Sequence, residues 1–334
     1  MAAQKNAEDY ICYSGFFFCL FNPGWLIHLF TCIFIVLFII GCTGNVAVIF
    51  LIRRCRQLRG APVILLVNLA VADILVCLTY FPLYIYLILT QSGEDFIHNS
   101  ACKVTLFLEF QSQLCSALTI ASINFERCFV LKYPLRVRTV ITFKRKLLVT
   151  AGIWVISILC SIHVLYFIKS LVWKDVNDEF DMWQPTTQFI IPAVIVAVSC
   201  VITVVTLIKR IHSNRLQESN QSNVSTGNSL RNPKKALKTV IIVAVGFLCM
   251  TSPSAIFRFW IMNKNGWYYS SATPWFFLAN LLRVSNSCVN PFIYALMSSS
   301  FRSAIKSTFC CKTDSTNRQN LNFNSRSRPL QNRV

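Results

Sequence analysis

The chain has 334 residues, 54% hydrophobic and 13% charged, with a formal net charge of +19. Soluble domains carry about 25% charged residues, and the long apolar stretches here keep no polar face for water, which excludes a soluble helical protein. The basic residues sit in short segments between apolar runs, which excludes a nucleic-acid partner as the reason for the charge.

A helix crosses the hydrocarbon core in about 20 apolar residues. Residues 1–25 read as an outer amino-terminal segment. Seven spans follow, over 26–52, 62–89, 102–133, 146–168, 187–211, 235–262 and 272–297. The predicted fold class is an all-α membrane protein, a seven-helix bundle over 26–297. Its inner loops run over 53–60, 134–145 and 212–234. Residues 298–311 then place Phe301, Ala304, Ile305, Thr308 and Phe309 on one helical face with Arg302 and Lys306 beside it. That pattern predicts a short amphipathic eighth helix on the inner leaflet. Cys310 and Cys311 at its end are candidates for palmitoylation. The polar remainder, 312–334, reads as a disordered cytoplasmic tail.

With the amino terminus outside, 24 of the 32 Lys and Arg fall on the cytoplasmic side. The positive-inside rule therefore orients the chain, and the charge serves topology and anionic lipid. Most of the 15 cysteines lie inside spans as small core residues; Cys12, Cys19 and Cys102 face the oxidising side and are the disulfide candidates, with the pairing open.

Ionisable residues are costly in a span and face the bundle. They are Asp73, Glu109, the neighbours Glu126 and Arg127, Arg258 and Arg283. In the third span Glu109, Gln113, Ser116, Ile120 and Arg127 share one helical face. Eighteen residues separate Glu109 from Arg127, about 27 Å of rise. A helix polar along that length must be ringed by other helices, with an outer pocket at one end and an inner switch at the other. The four histidines, His28, His98, His163 and His212, are scattered and form no metal or nucleophile cluster, so no enzyme is expected. Neither broken helices nor repeated halves speak for a transporter or channel.

Several segments, in order, resemble the rhodopsin-like (class A) G-protein-coupled receptors: "GNVAV" from Gly44, "NLAVAD" ending at Asp73, "ERC" from Glu126 with Pro134 beyond it, Trp154, Pro192, and "NSCVNPFIY" from Asn286 to Tyr294. The resemblance covers roughly 44–311. It implies a plasma-membrane receptor that activates a heterotrimeric G protein, with receptor kinases and arrestin as further partners and no cofactor beyond an allosteric sodium ion. Asp73, Ser116, Asn286, Ser287 and Asn290 match the sodium ligands. Glu126, Arg127, Asn290, Pro291 and Tyr294 match the G-protein switch, in which the arginine is held at rest by its acidic neighbour. Tyr84, Glu109, Gln113, His163, Arg258, Asn280 and Arg283 are the pocket candidates. The resemblance places Glu109 and Arg283 at one depth, where they can pair.

The departures are specific. Thr251 stands where the family has a tryptophan two residues before the sixth-helix proline, and Cys200 where it has a tyrosine. Cys102 matches the third-helix disulfide position, but the second outer loop has no cysteine. Val284 replaces the lysine an opsin needs. Thr251, Ser254 and Ala255 remove part of the aromatic box that an amine site uses. The favoured ligand is a peptide; a small amine, a lipid or a nucleotide is the alternative.

Overall fold

A computed structural model describes residues 24–55, 58, 63–133, 136–172, 186–220, 233–262 and 269–309. Among them are seven long helices: α1 Gly24–Arg54, α2 Val63–Thr90, α3 Ser100–Lys132, α4 Phe143–Val172, α5 Ile191–Asn220, α6 Pro233–Met262 and α7 Tyr269–Met297. A shorter helix, α8, spans Ser299–Phe309. One helical turn, Val137–Val140, lies between α3 and α4, and a π-helical turn, Thr186–Ile190, leads into α5.

Within the described residues His28–Arg54, Val63–Thr90, Lys103–Val130 and Phe143–Ile162 are long and apolar enough to cross a membrane, and Ile191–Thr206 and Ile241–Phe257 are shorter apolar helical stretches. The outward faces are apolar: Val36, Ile39 and Phe50 on α1, Leu147, Leu148 and Leu159 on α4, Val194, Val198 and Val201 on α5 are exposed. In water such surfaces would drive aggregation; in lipid they cost nothing.

Two boundaries differ from the sequence reading for local reasons. α4 begins at Phe143, so Lys144 and Arg145 belong to the helix and not to the loop before it. Thr142 is its cap: the Thr142 hydroxyl accepts from the Arg145 N–H at 3.4 Å and its carbonyl from the Lys146 N–H at 3.1 Å. α5 continues to Asn220, nine residues past the expected end at Ile211.

α3 is the axis of the bundle, packed against α2, α4, α5 and α6, while α1 closes the ring against α2 and α7. Two glycines permit that closure. A Cβ on Gly41 would press into the Cys77 sulfur and lie 2.9 Å from that of Cys288; one on Gly44 would lie 3.1 Å from Pro291 Cγ. Pro82 in α2 and Pro253 in α6 each remove one backbone N–H from the helix interior, which kinks or hinges a helix. α8 starts at a second cap, the Phe301 N–H donating to Ser298 Oγ at 3.3 Å. Phe301 and Ala304 are buried, and α8 packs on α7 and α1, with the Tyr294 and Phe301 rings 5.8 Å apart.

Candidate functional site: a ladder of polar rungs along α3

α3 is tied to its neighbours at successive depths. The outermost rung is ionic. Arg283 Nη2 on α7 lies 3.5 Å from Glu109 Oε1, with side-chain exposures of 11% and 2%. Gln113, one turn along α3, donates to the same carboxylate oxygen at 3.1 Å, and Arg283 Nε donates to Asn280 Oδ1 at 3.3 Å. The expected pair therefore forms, with Gln113 and Asn280 as supports. Tyr84 lies on α2. Its ring stacks on Tyr80 at 4.0 Å and lies beside Phe34, in an aromatic cluster between α1 and α2. The side chains of His163 and Arg258 lie outside the described residues.

The second rung is centred on Asp73 of α2, which is fully buried. Ser116 Oγ donates to one carboxylate oxygen and Asn290 Nδ2 to the other, each at 2.7 Å. The Ser287 hydroxyl lies against the same carboxylate. Asn45 Nδ2 ties this level to α1, donating to the carbonyls of Gly41 at 2.9 Å and Ser287 at 3.0 Å. Asn286 is half-buried and makes no hydrogen bond to Asp73 among the described residues. A carboxylate with two hydroxyls and an amide gathered round it is an oxygen-rich donor set, which fits a small hard cation such as sodium. No group of three or more His, Cys, Asp or Glu among the described residues could hold a metal ion.

The third rung was only half legible. Asn68 donates to Thr119 Oγ1 at 2.7 Å and accepts from Trp154 Nε1 at 2.7 Å, so one buried amide couples α2, α3 and α4. Asn68 and Trp154 are landmarks in the sequence, but their meeting is not readable from it.

At the innermost rung Glu126 has a partner other than the expected one. Glu126 is held by Lys146 of α4, Nζ to Oε1 2.6 Å, with side-chain exposures of 7% for the lysine and 11% for the acid. It is not held by Arg127, which has no ion-pair partner among the described residues. The reason is helical geometry. Residues i and i+1 do not face each other, so a glutamate aimed at α4 leaves its neighbour on another face. Lys146 was missed because it reads as one more cytoplasmic charge. The signal available was its register: Lys146, Ile153, Ser157, Ser161 and Val164 repeat on the buried face of α4. Tyr294 stands beside two core clusters, one with Ile120 and Phe247 and one with Leu51 and Phe301. Pro291 packs against Gly44.

Cys12 and Cys19, the Cys102 side chain, and Cys310 and Cys311 fall outside the described residues.

Comparison with known proteins adds two findings. The pattern of the family described as "7 transmembrane receptor (rhodopsin family)" matches residues 44–294. Among curated proteins, the chain is 26% identical over 310 residues to G-protein coupled receptor 54 of Oreochromis niloticus, covering 86% of this chain and 79% of that one. It is 23% identical over 316 residues to the QRFP-like peptide receptor of Branchiostoma floridae, covering 89% and 82%. It is 27% identical over 280 residues to galanin receptor type 2 of Rattus norvegicus, covering 82% and 73%.

Proposed function

Because the chain belongs to the rhodopsin family of seven-transmembrane receptors, we propose that it binds an extracellular peptide in the outer half of the bundle and activates a heterotrimeric G protein. As a receptor of this family it is a multi-pass membrane protein and not an enzyme. Its orientation with the amino terminus outside is supported by the concentration of basic residues, 24 of 32, in the segments this orientation places in the cytoplasm, and placement in the plasma membrane goes with the receptor reading.

The observation that carries the peptide reading is the Glu109–Arg283 rung. A small amine needs an acid whose charge is available and an aromatic enclosure for the cation. Here the acid is already neutralised across the pocket, and Thr251, buried with its hydroxyl donating to the Phe247 carbonyl at 2.6 Å, supplies no ring. A peptide brings several contacts at once and can compensate for engaging a paired charge. Relatives of like length, named as a QRFP-like peptide receptor and a galanin receptor, support the same reading.

In this reading α3 carries the signal. A ligand that alters the Glu109–Arg283 rung shifts α3 against α7, and the Asp73 level, which links α2, α3 and α7, passes that shift to Asn290 and Tyr294. A sodium ion at Asp73, Ser116, Ser287 and Asn290 would stabilise the arrangement of that level, with Asn286 completing the set only after a side-chain movement. Cys102 would pair with Cys12 or Cys19, and Cys310 and Cys311 would carry acyl chains that fix α8 to the inner leaflet. Receptor kinases and arrestin would act on the cytoplasmic side.

The test is guanine-nucleotide exchange in membranes expressing the protein, challenged in parallel with a pool of neuropeptides and a panel of biogenic amines. Stimulation by peptide, lost in Arg127→Ala at equal surface expression, is the expected result. Stimulation by amines alone would overturn the peptide reading.

A further inference from the structure

Three thiols gather where α1, α2 and α7 meet, one turn from Asp73. Cys77 follows Asp73 by four residues on α2, and Cys288 stands next to Ser287 on α7, two residues before Asn290. Both are buried, at 0% and 3% exposure, in one core cluster with Phe34 and Val284. Their sulfurs meet over Gly41 of α1: a Cβ there would press into the Cys77 sulfur and lie 2.9 Å from that of Cys288. The Cys77 thiol lies against both Cys288 and Cys42, and the Cys288 thiol donates to the Leu37 carbonyl at 3.4 Å. Cys42 is half-buried. It falls between Ile39 and Val46, which are exposed on the apolar outer face of α1. The thiols thus run from the lipid-facing side of α1 to the contact of α2 with α7. All three are free, and no group of three or more such side chains among the described residues could hold a metal ion.

We propose that this trio is an oxidation site: a lipid-soluble organic hydroperoxide oxidises Cys42, and the oxidation ends as a Cys77–Cys288 disulfide that latches α2 to α7 beside Asp73. In the first step the peroxide O–O bond breaks, Cys42 becomes a sulfenic acid and the peroxide leaves as an alcohol. The Cys77 sulfur then displaces the hydroxyl, which leaves as water with the Cys77 proton, and a Cys42–Cys77 bond forms. Exchange completes the relay: the Cys288 sulfur attacks that of Cys77, and Cys42 departs as a thiol with the Cys288 proton. Two thiols have then lost two electrons, and the hydroperoxide has gained them. Buried thiols are ordinarily inert. Here the half-buried member supplies the entry, and the sulfur contacts supply the path. Sulfurs already in contact have only to close to about 2 Å. The consequence for signalling rests on the receptor reading above: with α2 bonded to α7, the Asp73 level cannot pass a shift of α3 on to Asn290.

The experiment treats membranes of the full chain with cumene hydroperoxide, blocks remaining thiols with N-ethylmaleimide in denaturant, and maps peptides without reduction. Cys77 is expected joined to Cys288, and dithiothreitol is expected to reverse the bond. Cys42→Ala should slow its formation, and Cys288→Ala should stop the relay at a Cys42–Cys77 bond. Recovery of Cys77 and Cys288 from wild type only as alkylated thiols or oxo-acids overturns the site. Formation as fast in Cys42→Ala as in wild type overturns the relay. Peptide-stimulated guanine-nucleotide exchange is read in the same membranes. Oxidation should lower it about fivefold or more, the low end of coupling between sites, and should leave Cys77→Ala responsive. Equal loss in Cys77→Ala, or no loss in wild type shown to carry the bond, overturns the latch. Wild type that never answers the peptide pool is failure of the receptor reading, and the peptide map still decides the oxidation site.

Discussion

Exchanging the charges of the outermost rung, Glu109→Arg together with Arg283→Glu, tests whether the bundle is held there by an ion pair. Two unit charges 3.5 Å apart attract by about 5 kcal/mol at an effective dielectric near 20. Desolvation of two nearly buried groups takes back much of that, but a single truncation leaves one charge buried alone, which costs about 3–5 kcal/mol. The separation exceeds the roughly 2.8 Å of a tight charge-assisted bond, so the lower end, about 3 kcal/mol, is the expected loss for Glu109→Ala or Arg283→Ala. The Gln113 and Asn280 amides offer neutral compensation to whichever charge remains. Thermal unfolding of detergent-solubilised receptor, read by fluorescence-detected size exclusion, should fall by on the order of 5 °C in each single variant. Surface expression should fall with it. The double exchange should recover more than half of the loss, since opposite charges again face each other between α3 and α7. A double exchange less stable than both single variants would refute the pair, and with it the account of why an amine is a poor ligand.

Gly41→Val should destabilise by about 1–3 kcal/mol through overpacking against Cys77 and Cys288, seen as a lower unfolding temperature. Unchanged stability there would mean that α1 docks less tightly than the structure shows. Asn68→Ala strips the Trp154 N–H and the Thr119 hydroxyl of their shared partner and should cost about 1–3 kcal/mol by the same assay. Asp73→Asn should abolish any dependence of exchange on sodium against potassium, while wild type shows suppression by sodium; equal suppression in both would exclude the Asp73 level as the ion site. Non-reducing peptide mapping should recover Cys102 joined to Cys12 or Cys19, and recovery only as an alkylated thiol would exclude the bridge.

The seven spans were legible because a membrane helix must satisfy its backbone internally and show lipid an apolar face, a demand written into consecutive residues. The order of the polar landmarks gave the family, and the register of α3 placed Glu109, Ser116 and Arg127 on one face. What was not legible is partner choice. Asp73 with Ser116 and Asn290 followed from resemblance; Glu126 with Lys146 did not. Nothing local to either residue records that the cap at Thr142 starts α4 at Phe143, three residues before Lys146. The end of α4 thus decided the ion pair, and helix ends are what a hydropathy pattern locates least well.

Pro253 turns α6 into a lever. The helix loses one backbone hydrogen bond there whether it is straight or bent, so a bend at that level sacrifices no further bond. Some twenty residues lie between Pro253 and the start of α6 at Pro233, an arm of roughly 30 Å at the rise of an α-helix. A rotation of about 10° at the fulcrum sweeps the tip through roughly 5 Å, by arc length along that arm. A sub-ångström displacement within one turn of the proline is therefore enough to produce that sweep. With Thr251 in place of a bulky ring at that turn, the load on the short side of the lever is small, and the mechanical advantage belongs to whatever grips the long end.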